Sequence, residues 1–254
     1  VHVSDADGVR TVTFDRPDAR NALTPEIAEG LADTLDAVAV DTHDAVVLTG
    51  EGSAFSAGGD IEAMAAREES AAEGYDRIRS TFGRLATSVL DCPVPVVARV
   101  NGDAVGAGLS LVALADVAVA VADARFGAAF VHVGLIPDTG ATVLLPRLIG
   151  LRAAKRLVFT GDLVPAAEAA DLGLLTASVP AEDLDDRVEA FLATFRARPT
   201  ETIALAKEAL HGVLGRGVGE GVRYEAQLEA LAADSAAHEE GVAAFLEDRD
   251  PEFD

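Results

Sequence analysis

Two glycine-rich turns hold the chemistry this sequence offers. One is Phe55-Ser56-Ala57-Gly58-Gly59-Asp60-Ile61; the other is Asn101-Gly102-Asp103-Ala104-Val105-Gly106-Ala107-Gly108. Each follows a strand-like run, Ala45 to Leu48 and Val94 to Val100, and each precedes a predicted helix. Small residues let backbone N–H groups approach a ligand closely, and a helix N-terminus adds partial positive charge. Two such turns facing each other can hold one oxygen that becomes negative during a reaction. Neither turn is a phosphate loop, because the Lys-Ser/Thr ending is missing, and no Gly-x-Gly-x-x-Gly with a downstream acid is present. Of the nearby polar residues, Asp60 reads as the cap of a helix starting at Ile61, and Asp103 as solvated. Taken alone, Asp138 in Ile-Pro-Asp-Thr-Gly also reads as a helix N-cap, and His132 as a surface or supporting residue. No cluster has metal-ligand spacing.

The elements that position these turns follow from periodicity. Val9 to Phe14 alternates and reads as a strand. Thr24-Pro25-Glu26 has the N-cap, first-turn proline and acid of a helix start, and the helix is expected to run towards Val40. Helix in two pieces is expected over Ile61 to Leu90, then a helix over Gly108 to Ala115 and a strand over Val117 to Ala122. Phe126 to Leu135 reads as irregular or short strand. Helices are expected from Thr139 to Ile149, from Arg152 to Thr160 and from Pro165, before a strand at Leu174 to Val179. After Pro180 only helices follow: Leu184 to Arg196, Pro199 to Leu214, Val218 to Ala233 and Ala237 to Asp248. Strands and helices alternating before an all-helical tail argue α/β, and amphipathic tail helices suit packing on a neighbour.

Composition narrows the class. The 254 residues suit one large domain, and 50% hydrophobic residues allow a sizeable core, which aliphatic side chains must fill because aromatics are only 5%. Forty-three acids stand against 20 bases, a net charge of -23. Such charge repels nucleic acid and anionic membranes. The acids are spread along the chain rather than gathered in a tail, which reads as adaptation of a whole surface to high salt. The single cysteine, Cys92, cannot form an internal disulfide and reads as a small core hydrophobe. No signal peptide is recognised, and the apolar run Val105 to Ala122 reads as helix then strand rather than a membrane span, so a cytoplasmic protein is expected.

Five stretches in order resemble the crotonase superfamily, also called the enoyl-CoA hydratase/isomerase family. They are Arg16-Pro17-Asp18-Ala19-Arg20-Asn21-Ala22-Leu23, Gly52 to Ile61, Pro95 to Gly108, Gly134-Leu135-Ile136-Pro137-Asp138-Thr139-Gly140, and Glu240-Gly241-Val242-Ala243-Ala244-Phe245-Leu246. The resemblance implies a spiral of β-β-α turns forming two roughly perpendicular sheets, with a core at 1–190. It implies a helical oligomerisation region at 191–254 that builds a homotrimer or a dimer of trimers. It implies a coenzyme A thioester as substrate and no separate cofactor. The oxyanion donors would be the N–H groups of Gly59 and Ala107, the latter usable only at negative φ. The CoA adenine would lie near the backbone of Ala19, Asn21, Ala57, Gly58, Gly59, Asp60 and Ile61, with Phe253 reaching a nucleotide.

Departures from the family pattern select among reactions. Family hydratases carry two glutamates that handle water; here those places hold Ser110 and Phe130. Serine is a poor base without a partner, and phenylalanine would line a dry pocket. The resemblance turns Asp138 from a cap into an acid/base, because family isomerases, notably the ring-1,2-epoxyphenylacetyl-CoA isomerase, carry Asp at this place. Phe130 and Leu135 beside it should raise its pKa. The expected activity is an acyl-CoA isomerase in fatty acid or phenylacetate degradation. It would shift a 3,4 double bond to 2,3 or rearrange a ring epoxide. The alternatives are an enoyl-CoA hydratase, a thioesterase or dehalogenase with Asp138 as nucleophile, and a non-catalytic relative that binds CoA thioesters or RNA; the net charge opposes RNA.

Overall fold

The computed structural model describes residues 1–253. An antiparallel hairpin, β1 (His2–Ala6) and β2 (Val9–Phe14), opens the chain. α1 (Pro25–Asp36) follows; the Thr24 side chain accepts from the Ile27 N–H, Pro25 occupies the first turn, and Ala28, Leu31, Ala32 and Leu35 form its buried stripe. This helix stops at Asp36, short of the expected Val40.

From Ala45 a unit of long strand, short strand and helix repeats. The first repeat is β3 (Ala45–Gly50), β4 (Ala54–Ser56), then α2 (Ile61–Ala65), α3 (Ala71–Ile78), a π-helical turn (Arg79–Gly83) and α4 (Arg84–Asp91). The second is β5 (Val96–Val100), β6 (Asp103–Val105) and α5 (Ala107–Leu114). The third is β7 (Val117–Val121), β8 (Arg125–Gly127), a 3-10 turn (Ala129–Val133), α6 (Ala141–Leu148) and α7 (Gly150–Thr160). Then come β9 (Val164–Pro165), α8 (Ala166–Asp171), β10 (Ala177–Val179), α9 (Leu184–Arg196), α10 (Thr200–Gly212), α11 (Val218–Ala233) and α12 (Ala236–Glu247).

The long strands form one sheet in the order β1-β2-β3-β5-β7-β10, parallel except for the β1–β2 pair. The short strands form a second, β4-β6-β8-β9, with β9 antiparallel. The spiral is thus α/β, as expected. β3 is buried at every residue, which suits a central parallel strand covered on both faces. Phe14 of the large sheet meets Phe55 of the small one edge-on, with centroids 5.3 Å apart, a favoured aromatic geometry that ties the sheets together. α5 is buried at all eight positions and runs through the core. The apolar run from Val105 therefore divides into α5 and β7, and no helix among the described residues is long and apolar enough to cross a membrane.

The two helical pieces expected over Ile61 to Leu90 are α2 and an unbroken run from Ala71 to Asp91, in which the π-helical turn joins α3 to α4. Other expectations shift. The helix foreseen from Thr139 begins at Ala141. The division foreseen at 190 falls inside α9, whose Leu184, Val188 and Leu192 pack on Val9, Ala45, Val47, Val97 and Val119 of the large sheet. α10 is pinned through Lys207, 7% exposed. Its Nζ donates to the Asp116 carboxylate (2.7 Å) and to the carbonyls of Val94 (3.1 Å) and Val89 (3.3 Å). Cys92 is buried in the core as expected.

Candidate active site

The two glycine turns lie against each other because they end neighbouring strands, β4 and β6, of the small sheet. Gly58 adopts φ 93°, and a Cβ there would stand 2.7 Å from the Val105 carbonyl oxygen and 3.3 Å from the Ala107 nitrogen. Only glycine permits both that dihedral and that approach. Gly106, at φ 56°, turns the second segment into α5. Ala107 itself has negative φ, so its N–H is presented as an ordinary helix-start donor. Among the described residues, neither the Gly59 nor the Ala107 N–H donates to a protein acceptor. Both residues line a cleft of about 660 Å³.

Asp138 lines the same cleft, with Phe130 and Leu135. It is not a helix cap: the N-cap of α6 is Gly140, at φ 78°, with no side-chain cap bond. The Asp138 carboxylate instead accepts from the Thr139 hydroxyl at 2.9 Å. Its backbone carbonyl accepts from the Ala141 N–H (3.0 Å) and the Ser110 hydroxyl (3.2 Å). Burial pushes the carboxyl above its ordinary value, against the Thr139 bond, its own N–H and the charge of Arg77.

Ser110 does not form part of the cleft wall. It is fully buried, and its hydroxyl bridges the Gly106 and Asp138 carbonyls. Phe130, 8% exposed, occupies the wall instead. His132 is exposed on the rim, with Nε2 3.1 Å from the Thr160 carbonyl oxygen.

The residues foreseen around CoA are divided. Ala57, Gly59 and Ile61 line the cleft. Gly58 is buried behind them, its carbonyl accepting from Leu23. Asp60 caps α2 as expected, accepting from the Ala63 N–H at 3.0 Å, and pairs with Arg16 at 2.9 Å. Ala19 is half-buried in the turn that meets this segment through an Ala57 N–H to Arg20 carbonyl bond. Asn21 is 1% exposed and works for the fold: its side chain bonds Arg16, Glu51 and Ala54, and its carbonyl accepts from Ser56. Phe253 lies in a separate groove with Pro199, Phe245 and Leu246, not in the cleft. Asp103, foreseen as solvated, pairs with Arg125 at 2.6 Å across β6 and β8.

Sequence reasoning passed over Glu69 and Arg77, which also line the cleft and pair there. The signal for Arg77 was its place directly before Ile78 and ahead of Phe82, apolar residues that line the same cleft.

Comparison with known proteins agrees with this architecture. Residues 4–254 match the family model described as enoyl-CoA hydratase/isomerase. A protein named "Probable enoyl-CoA hydratase" from Rhodobacter capsulatus is 36% identical, the match covering 98% of this chain and 95% of that one. The 1,2-epoxyphenylacetyl-CoA isomerase of Escherichia coli is 33% identical over 97% of this chain and 95% of its own. The crystal structure of an enoyl-CoA hydratase from Mycobacterium smegmatis superposes with a TM-score of 0.94 at 33% identity, covering 99% of this chain and 98% of that one. The chain belongs to the enoyl-CoA hydratase/isomerase family and has the crotonase fold.

Proposed function

We propose that this protein is an acyl-CoA isomerase that moves a double bond from the 3,4 to the 2,3 position. The observation that carries this reading is the desolvated Asp138 carboxyl in one cleft with the two free N–H groups of Gly59 and Ala107, with Phe130 on the wall. The thioester oxygen accepts from both N–H groups, which acidifies C2. Asp138 takes the C2 proton, the negative charge spreads over the thioester oxygen and C4, and Asp138 returns the proton to C4. Losing one such donor typically costs about 2.7–4 kcal/mol of transition-state stabilisation. The CoA nucleotide is assigned to the backbone along Ala57 to Ile61 and the Ala19 turn. A homotrimer suits the exposed apolar side chains of α10 to α12, among them Leu210, Leu231, Phe245 and Leu246.

The name of the Escherichia coli relative favours a ring-epoxide thioester as a variant substrate of the same site. The hydratase names of the other relatives favour a second reading, addition of water to a 2-enoyl-CoA. The deciding assay compares 3-enoyl-CoA isomerisation with crotonyl-CoA hydration in molar salt, for the wild type and Asp138→Ala. Isomerisation that the substitution abolishes supports the proposal; fast hydration indifferent to the substitution overturns it.

A further inference from the structure

Arg77 and Glu69 lie in the acyl cleft without a place in the proton transfer. Arg77 stands on α3, one residue before Ile78 and five before Phe82, both on the cleft wall. Its Nε donates to Glu69 at 2.9 Å and one terminal nitrogen, Nη2, donates to the other Glu69 oxygen at 2.5 Å. This fork holds the guanidinium plane fixed. The remaining nitrogen, Nη1, donates to no protein acceptor among the described residues. The Arg77 side chain is 23% exposed, and Met64, Ile78 and Phe82 line the same cleft. A donor held in place beside apolar walls discriminates once the bound acyl group displaces water from it, because a ligand without an acceptor then leaves it unpaired.

Charge decides which acceptor fits. The charged side chains on the cleft balance: Arg67 and Arg77 against Glu69 and Asp138. A carboxylate on the acyl group would add an uncompensated charge, whereas an uncharged oxygen would accept from Nη1 and leave the balance intact. We propose that Arg77, clamped by Glu69, selects acyl-CoA thioesters whose acyl group carries an uncharged oxygen acceptor: a hydroxyl, carbonyl or ether oxygen. The inference rests on the acyl-CoA reading of the cleft and names the substrate class within it.

The test is calorimetric binding, in molar salt, of heptanoyl-CoA, its 4-oxo, 5-oxo and 6-oxo derivatives, and adipoyl-CoA. At least one oxo derivative should bind about tenfold more tightly than heptanoyl-CoA, the scale of one hydrogen bond to a charged group. Arg77→Met should erase that gap. Glu69→Gln, which leaves a cation uncompensated, should raise the affinity for adipoyl-CoA, a gain that damage to the fold cannot mimic. Oxo derivatives that bind no better than heptanoyl-CoA to the wild type overturn the inference without any variant. So does adipoyl-CoA binding tightest to the wild type, a gap that survives Arg77→Met, or no gain in Glu69→Gln. Failure of every thioester to bind overturns the acyl-CoA reading itself, a distinguishable result.

Discussion

The Ser110 hydroxyl stands 3.2 Å from the backbone carbonyl oxygen of Asp138 and donates to it. Through this bond α5, whose first N–H is Ala107's, holds the loop that carries the acid. Ser110 thus acts as a strut between the two halves of the site. Ser110→Ala keeps the packing and removes the strut. A neutral hydrogen bond is worth about 1 kcal/mol, so kcat for isomerisation should fall about fivefold with little change in KM. Steady-state kinetics on a 3-enoyl-CoA measures both.

Asp138 sets stability against activity. Burial raises its carboxyl above the ordinary 3.8. The folded state therefore keeps a proton that the unfolded chain has released. This contribution to stability is fully present below 3.8 and is lost as pH rises towards the folded value. Asp138→Asn removes the slope, so the variant should unfold at higher denaturant than the wild type at neutral pH. Its isomerisation rate should drop by about 10²–10⁴-fold, the usual contribution of a general base. Wild-type activity should rise with pH through the same window, because only the ionised form takes a proton. Denaturation midpoints and rates across pH 4 to 8, for both proteins, check all three.

Lys207 carries a buried charge shared among Asp116 and two carbonyls. Lys207→Met leaves the Asp116 carboxylate facing Val96 N–H alone at short range, at 2.7 Å. Asp116 is itself open to solvent, so what is lost is the charge-assisted bonding of Lys207, about 1.5–3 kcal/mol. Urea unfolding should show that loss, and limited proteolysis should cut first in α10, whose anchor is gone.

The charge of -23 predicts salt-dependent stability. The screening length shrinks from about 10 Å at 0.1 M to about 3 Å at 1 M salt. Surface ion pairs such as Arg125–Asp103 also weaken, but each contributes only about 0–1 kcal/mol. Relief of net repulsion should prevail, and the unfolding temperature should rise with KCl. A midpoint unmoved by salt would contradict adaptation of the surface.

The sequence displayed what depends on local pattern. Thr24-Pro25-Glu26 announced α1, and Asp60 announced the cap of α2, because capping is a contact between near neighbours. Val94 to Val100 announced β5 through its aliphatic run. The small sheet stayed hidden because β4, β6 and β8 have three residues each, too few for any period to register. β1 stayed hidden because all five of its residues are exposed and three of them, His2, Ser4 and Asp5, are polar. At the site, the glycine turns and Asp138 were legible through motif order. Ser110's role was not, since a hydroxyl bonding a carbonyl 28 positions away leaves no trace in spacing. The Glu69–Arg77 pair was equally silent: Glu69 lies before the Ser70 cap of α3, so the chain bends back to make a contact that helical spacing does not encode.

Gly59 follows β4 and Ala107 follows β6, and these strands are adjacent and parallel. Neighbouring strands keep a spacing of about 4.8 Å set by peptide hydrogen bonds. The N–H groups of Gly59 and Ala107 are therefore mounted on a ruler made of backbone, whose setting depends on the bare Cα of Gly58 between them. In the reaction proposed above, the acid and the walls of the cleft can be exchanged while this grip on the thioester oxygen stays in place.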